Sequence, residues 1–231
     1  MIRYGKQIGK KFNKDGSTGI FVGNTVVADI QKDTESMDIL CEIGKAIKDH
    51  APEDAYILLP SESYHMTLFR GINDQVREPG FWPPDLDISS AFVKADDYFQ
   101  NRLEGVKLPS DIRMKFKDIV FDEEDVHVVL VPVDTAEEEK LKVYRDQAAD
   151  SLGFRQPGHD KYTYHVTLAY TWKIPEKNQT DRLMEKMNSF RERLKLQEPF
   201  YVSEPYLAFF NDMVYFSKDR GIRQRIGGYY G

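Results

Sequence analysis

A five-residue phrase occurs twice in this chain, as Tyr64-His65-Met66-Thr67-Leu68 and as Tyr164-His165-Val166-Thr167-Leu168. In an extended strand, successive side chains point to opposite faces. His65, Thr67 and Phe69 therefore share one face, and Tyr64, Met66 and Leu68 the other. The second copy sets His165, Thr167 and Ala169 against Tyr164, Val166 and Leu168. Each copy is a strand whose apolar side anchors it in a core and whose polar side presents an imidazole beside a hydroxyl. A single such phrase reads as a half-buried strand whose polar groups satisfy one another or the backbone. Two of them point instead to a duplicated architecture built around paired polar mounts.

The flanking sequence repeats as well. Residues 20–30 form a β-branched run that predicts a buried strand, with Gly23-Asn24 marking a bulge or a close backbone approach. Met37, Leu40, Ile43 or Gly44, and Ile47 then recur at helical spacing, with Asp33 or Thr34 as N-cap and an end near His50-Ala51-Pro52. A short strand over 55–60 leads into the first motif. In the second half, residues 126–133 form an apolar run, and Thr135-x-x-Glu138 reads as a capping box. Leu141, Tyr144, Ala148 and Leu152 form a helical stripe that Gly153 stops, and a turn over 156–160 leads into the second motif.

The expected fold class is therefore α+β: two pseudo-symmetric lobes of antiparallel sheet, helices packed outside and a cleft between them. We expect one bilobal domain over 1–231, with lobe 1 at 20–70, an insertion at 71–110, lobe 2 at 111–218 and a tail at 219–231. The insertion opens with Gly71 to Asp85, rich in Pro and aromatic residues, which leaves the first motif and is expected to border the cleft. A helix with Phe92, Ala95, Phe99 and Leu103 inward follows, capped by Ser89 or Ser90 and closed by Gly105. A strand over 113–121 is expected to pair with 126–133, a last helix carries Leu183, Met187, Phe190 and Leu194, and residues 201–217 hold two strands turning at Asn211-Asp212. Residues 1–19 read as a lead-in with a turn, outside lobe 1 and with little legible chemistry, and the tail with Arg220, Arg223 and Arg225 reads as mobile.

A net charge of −6 argues against attraction to a long nucleic-acid duplex, and 41% hydrophobic residues supply a substantial core. Cys41 is the single cysteine, so no intrachain disulfide forms, and no apolar run is long enough for a leader or a membrane span. The chain reads as soluble, cytoplasmic and monomeric, without membrane contact.

The paired phrases resemble those of the 2H phosphoesterase superfamily, which includes RNA 2′,3′-cyclic phosphodiesterases and 2′-5′ RNA ligase-like proteins. The long segment 71–110 and residues 19–25 look closer to a larger bacterial-type branch of uncharacterised members than to the compact ligase-like ones. The resemblance implies a metal-independent phosphodiesterase acting on a 2′,3′-cyclic phosphate, a 2′-5′ linkage, or a cyclic or short oligonucleotide, with no cofactor.

The residue chemistry is consistent with this. Imidazoles titrate near neutrality, so His65 and His165 in one cleft can divide the work of general base and general acid. Thr67 and Thr167 can donate to the non-bridging phosphate oxygens. Tyr162 and Trp82 are candidates to stack on a base, and Arg70, Arg155 and Lys161 to steer a phosphate. No third ligand at a recognised spacing accompanies either motif, so no metal site is expected. His50, His127 and His159 lack a following Thr and are set aside. The alternative is a noncatalytic module that binds a nucleotide or RNA end.

Overall fold

In the computed structural model, which describes residues 2–196 and 199–226, the two phrases become neighbouring strands in one sheet. The elements are β1 (Gly23–Asp29), α1 (Glu35–His50), β2 (Tyr56–Leu58), β3 (His65–Phe69), α2 (Phe92–Leu103), β4 (Arg113–Phe121), β5 (Asp125–Pro132), α3 (Thr135–Leu152), β6 (Tyr164–Thr171), α4 (Asp181–Lys195), β7 (Phe200–Tyr201) and β8 (Tyr206–Phe210). The eight-stranded sheet has the order β7-β4-β5-β6-β3-β1-β8, with β2 beside β6, and every pairing is antiparallel. The α+β class is as expected. Its two halves join where β3 meets β6, through the pair Met66↔Val166.

The halves also exchange strands. β2 comes from the first half of the chain and pairs with β6. β8 comes from the end of the described chain and pairs with β1 along Gly23↔Phe210 to Val27↔Tyr206.

The apolar faces of the motif strands make the core. Tyr64, Met66, Leu68, Val166 and Leu168 are buried with Ile39, Leu40, Ile43 and Ile47 of α1 and Leu141, Tyr144, Ala148 and Leu152 of α3. Full burial of each such aliphatic side chain is worth about 1.5–3 kcal/mol. Each helix packs on the motif strand of the opposite half, α1 on β6 and α3 on β3. The helices thus clamp the seam from behind and leave the His/Thr face open.

Local signals account for most helix ends. Thr34 caps α1, its hydroxyl accepting from Met37 N at 3.2 Å. Gly153 ends α3 in the left-handed region with φ 71°. The cap of α3 is Asp134, one residue earlier than the Thr135 box: its carboxylate accepts from Glu137 N at 2.8 Å and adds a negative charge at the helix start. α2 starts after Ala91 with no side-chain cap. Ser89 instead donates to Asp87 in the preceding turn, at 2.7 Å.

Both chain ends depart from expectation. The lead-in is part of the fold: Phe12 is buried against Tyr170, ring centroids 4.9 Å apart, and Gly5 N donates to the Trp172 carbonyl at 2.9 Å. The tail is anchored by Arg223, 3% exposed, whose Nε and Nη2 pair with the Asp96 carboxylate at 2.8 and 3.1 Å. The same guanidinium donates to Gly23 O, Phe210 O and Asn211 Oδ1. Residues 227–231 lie outside the described residues.

Gly71 leaves β3 so close to β1 that a Cβ there would overlap the Asn24 carbonyl, whereas a Cβ at Gly105 meets nothing. Backbone cannot yield as a flexible side chain can. Gly71→Ala is expected to cost about 1–3 kcal/mol in urea unfolding, with Gly105→Ala near neutral. Equal midpoints for the two variants would refute the close packing.

Candidate active site

The antiparallel pair Met66↔Val166 places His65 across from Thr167 and Thr67 across from His165, all four on one face. Flanking strands extend the polar face: Asp29 of β1 pairs with His65, and His127 of β5 pairs with Thr167. His65, Thr67, His127, His165 and Thr167 line a cavity of about 460 Å³ together with Arg70, Tyr162 and Lys11. The sequence motif thus becomes one site through a single inter-strand register.

Both imidazoles are oriented in the same way. His65 Nδ1 lies 2.7 Å from Ser63 O, and His165 Nδ1 lies 3.1 Å from Thr163 O. A carbonyl can only accept, so Nδ1 carries the proton and Nε2 of the neutral ring is left with its lone pair for chemistry. Burial lowers the pKa of His65 from 6.5; the Ser63 carbonyl and Asp29 oppose the shift and His165 adds to it. Burial also lowers that of His165; the Thr163 carbonyl and Asp125 oppose, while His127 and Arg70 push it further down. The resting site therefore favours neutral rings.

Two cleft residues escaped the sequence reading. His127 had been set aside, yet its ring centroid is 5.0 Å from that of His165 and its Nδ1 lies 2.6 Å from the Asp125 carboxylate. The signal was the alternation Asp125-x-His127 on the strand next to the second motif. Lys11 comes from the lead-in, its Nζ 3.3 Å from the Tyr170 hydroxyl. Burial lowers its pKa, against the pull of Asp125 and Glu124. Phe216 packs on His65 at 4.3 Å, and Tyr206 donates to Asp29 at 3.0 Å.

The remaining candidates divide. Arg70 and Tyr162 line the cavity, and the Tyr162 ring has the Arg145 guanidinium 3.9 Å above it. Lys161 lines an adjoining cavity of about 360 Å³. Trp82 and Arg155 line neither cavity. Trp82 is 2% exposed, donates to Leu86 O at 3.0 Å and meets Phe92 edge to face. Apolar burial decides its place. Arg155 is engaged by Asp146 at 2.6 Å and Asp150 at 2.9 Å, within one surface network. Of the loop after β3, Gly71, Ile72 and Asn73 border the cleft.

Two groups have ligand atoms within 4.8 Å of one another: Asp122, Asp125 and His127, and Asp146, His159 and Asp160. Most of these carboxylates already serve protein donors. Asp122 accepts from the N–H groups of Glu124 and Asp125, Asp125 holds His127, and Asp146 holds Lys142, His159 and Arg155.

Residues 11–123 match the family model described as 2H-phosphodiest, domain of unknown function (DUF1868). That span contains His65 and Thr67 and ends before His165 and Thr167. No curated protein matches the chain. Among solved structures, the conserved protein of unknown function ATU0111 from Agrobacterium tumefaciens shares the fold, with TM-score 0.84 and 24% identity over 93% of this chain and 91% of that one. A phosphoesterase aligns with TM-score 0.43 and 14% identity over 81% and 88% of the two chains. Escherichia coli LigT in apo form aligns with TM-score 0.42 and 14% identity over 83% and 88%. No helix among the described residues is long and apolar enough to cross a membrane.

Proposed function

We propose, from the premise that residues 11–123 match the 2H-phosphodiest family model, that the chain is a metal-independent phosphodiesterase acting on a 2′,3′-cyclic phosphate, a 2′-5′ linkage, or a cyclic or short oligonucleotide. The observation that carries this is the pairing of His65 and His165 in one cavity, each with Nδ1 on a backbone carbonyl. One neutral Nε2 takes a proton from water or a ribose hydroxyl as the oxygen attacks phosphorus. The other ring, protonated, gives its proton to the departing oxygen. Thr67 and Thr167 donate to the non-bridging oxygens, and Arg70 supplies positive charge as the phosphorane forms.

Turnover of a 2′,3′-cyclic nucleotide in excess EDTA tests this. Binding without turnover in the same buffer would favour the alternative, a nucleotide or RNA-end binding module. The favoured partner is a nucleotide or short RNA met by a soluble monomer.

The reactive state has one ring neutral and one protonated, so activity falls on both sides of the pair's two apparent pKa values. Burial lowers both values from 6.5. The profile of kcat/KM against pH, which reports the free enzyme, should be bell-shaped and centred below about pH 6.5. A centre above neutrality would contradict the depressed values.

A further inference from the structure

The adjoining cavity of about 360 Å³ shares Arg70, His127, Tyr162 and His165 with the reaction cavity. Its charge is different. Asp122, Glu124 and Asp125 line the reaction cavity, whereas the adjoining one has Arg70, Arg145 and Lys161 in its walls and, among the described residues, no carboxylate. Arg145 is 5% exposed, and its guanidinium donates to backbone carbonyls, Leu68 O at 3.2 Å and His159 O at 2.5 Å, while stacking on Tyr162. No ion pair reaches Arg70, Arg145 or Lys161 among the described residues. Asp146, next to Arg145 in the chain, is taken up by Lys142, His159 and Arg155. A buried cation held by carbonyl dipoles and a ring face, with no carboxylate paired to it, is costly, and an incoming anion relieves that cost.

The chamber is preformed. Its wall over 156–159 is tied down through His159 to Asp146 at 2.9 Å and through the Gln156 amide to Gly71 O. Little ordering entropy is left to lose when a ligand enters.

We infer that this second chamber receives another phosphate of the same substrate molecule, the 5′-phosphate of the nucleotide whose ribose carries the reacting phosphate. The inference rests on the phosphodiesterase reading and narrows it. The preferred substrate is a nucleotide with a 5′-phosphate, or an oligonucleotide whose chain continues on that side, rather than a bare cyclic nucleoside phosphate. Arg70, common to both cavities, stands between the two phosphates.

Calorimetric titration of the full chain with adenosine 3′-monophosphate and adenosine 3′,5′-bisphosphate tests this without turnover. The bisphosphate should bind about tenfold tighter or more, as charge-assisted contacts to a second phosphate are made. Lys161 is exposed, so Lys161→Gln should fold, and it should cut that preference by about threefold or more. Equal affinity for the two ligands, no binding of either, or a preference that Lys161→Gln leaves intact would overturn the inference. Failure to turn over a cyclic nucleotide would instead strike at the catalytic reading, since the affinity ratio is measured independently of it.

Discussion

Replacing His65 or His165 by alanine should lower turnover of a 2′,3′-cyclic nucleotide by about 10²-fold or more, because a positioned general acid or base contributes roughly 10²–10⁴-fold. The two losses should not add in the double variant, since neither ring completes a proton transfer without the other. Thr67→Ala and Thr167→Ala should cost less: each removes a neutral donor whose place water can partly take, and leaves the proton-transfer pair in place. Initial rates with circular dichroism as a control for folding make the comparison. Wild-type rates in either His variant, or loss of wild-type activity in EDTA, would return the site to binding or to metal chemistry.

The largest stability effect should come from Arg223→Met. The wild-type guanidinium is 3% exposed and pairs with Asp96, which is 0% exposed. Its removal leaves a buried carboxylate with the Asn24 amide, 3.0 Å away, as its remaining side-chain partner, and strips donors from Gly23 O and Phe210 O. Breaking one side of a buried pair typically costs about 3–5 kcal/mol, which urea unfolding resolves. Adding Asp96→Leu should recover part of the loss, because the stranded charge is gone while the orphaned carbonyls remain. A cost below about 1 kcal/mol for the single change would mean that this pair does not hold the chain end in place.

The parts of this fold that were legible are those that short stretches dictate. Alternation in the two His-x-Thr strands, the stripe of α1 and the glycine stop after α3 each act over a few residues, and those elements are present. The strand expected after the turn at Asn211-Asp212 is instead a single bridge, Phe209 to Ser217, and β8 pairs with β1. The site residues that followed from the motif, His65, Thr67, His165 and Thr167, meet because one register joins their strands. Lys11 was not legible, and the Asp125-x-His127 alternation did not by itself place His127, since their positions depend on which strand lies beside which and on a lead-in that docks across Tyr170. Arg223 reads as a basic tail residue because Asp96, the acid that explains it, lies 127 positions away. Trp82 shows the limit of composition: an aromatic in a Pro-rich loop has the same local sequence whether it faces a ligand or the core.

The strand exchange sets the order in which the molecule can assemble. β1 is completed by β8, and β6 by β2 as well as by β5, so neither half of the chain closes its own part of the sheet. Most of these closures span long loops, whose entropy must be lost before the pairing returns any free energy, and such topologies fold slowly. The seam between β3 and β6 lies in the middle of that order. The meeting of the two imidazoles is therefore a late product of folding, and a ribosome-bound first half would carry His65 with no partner imidazole.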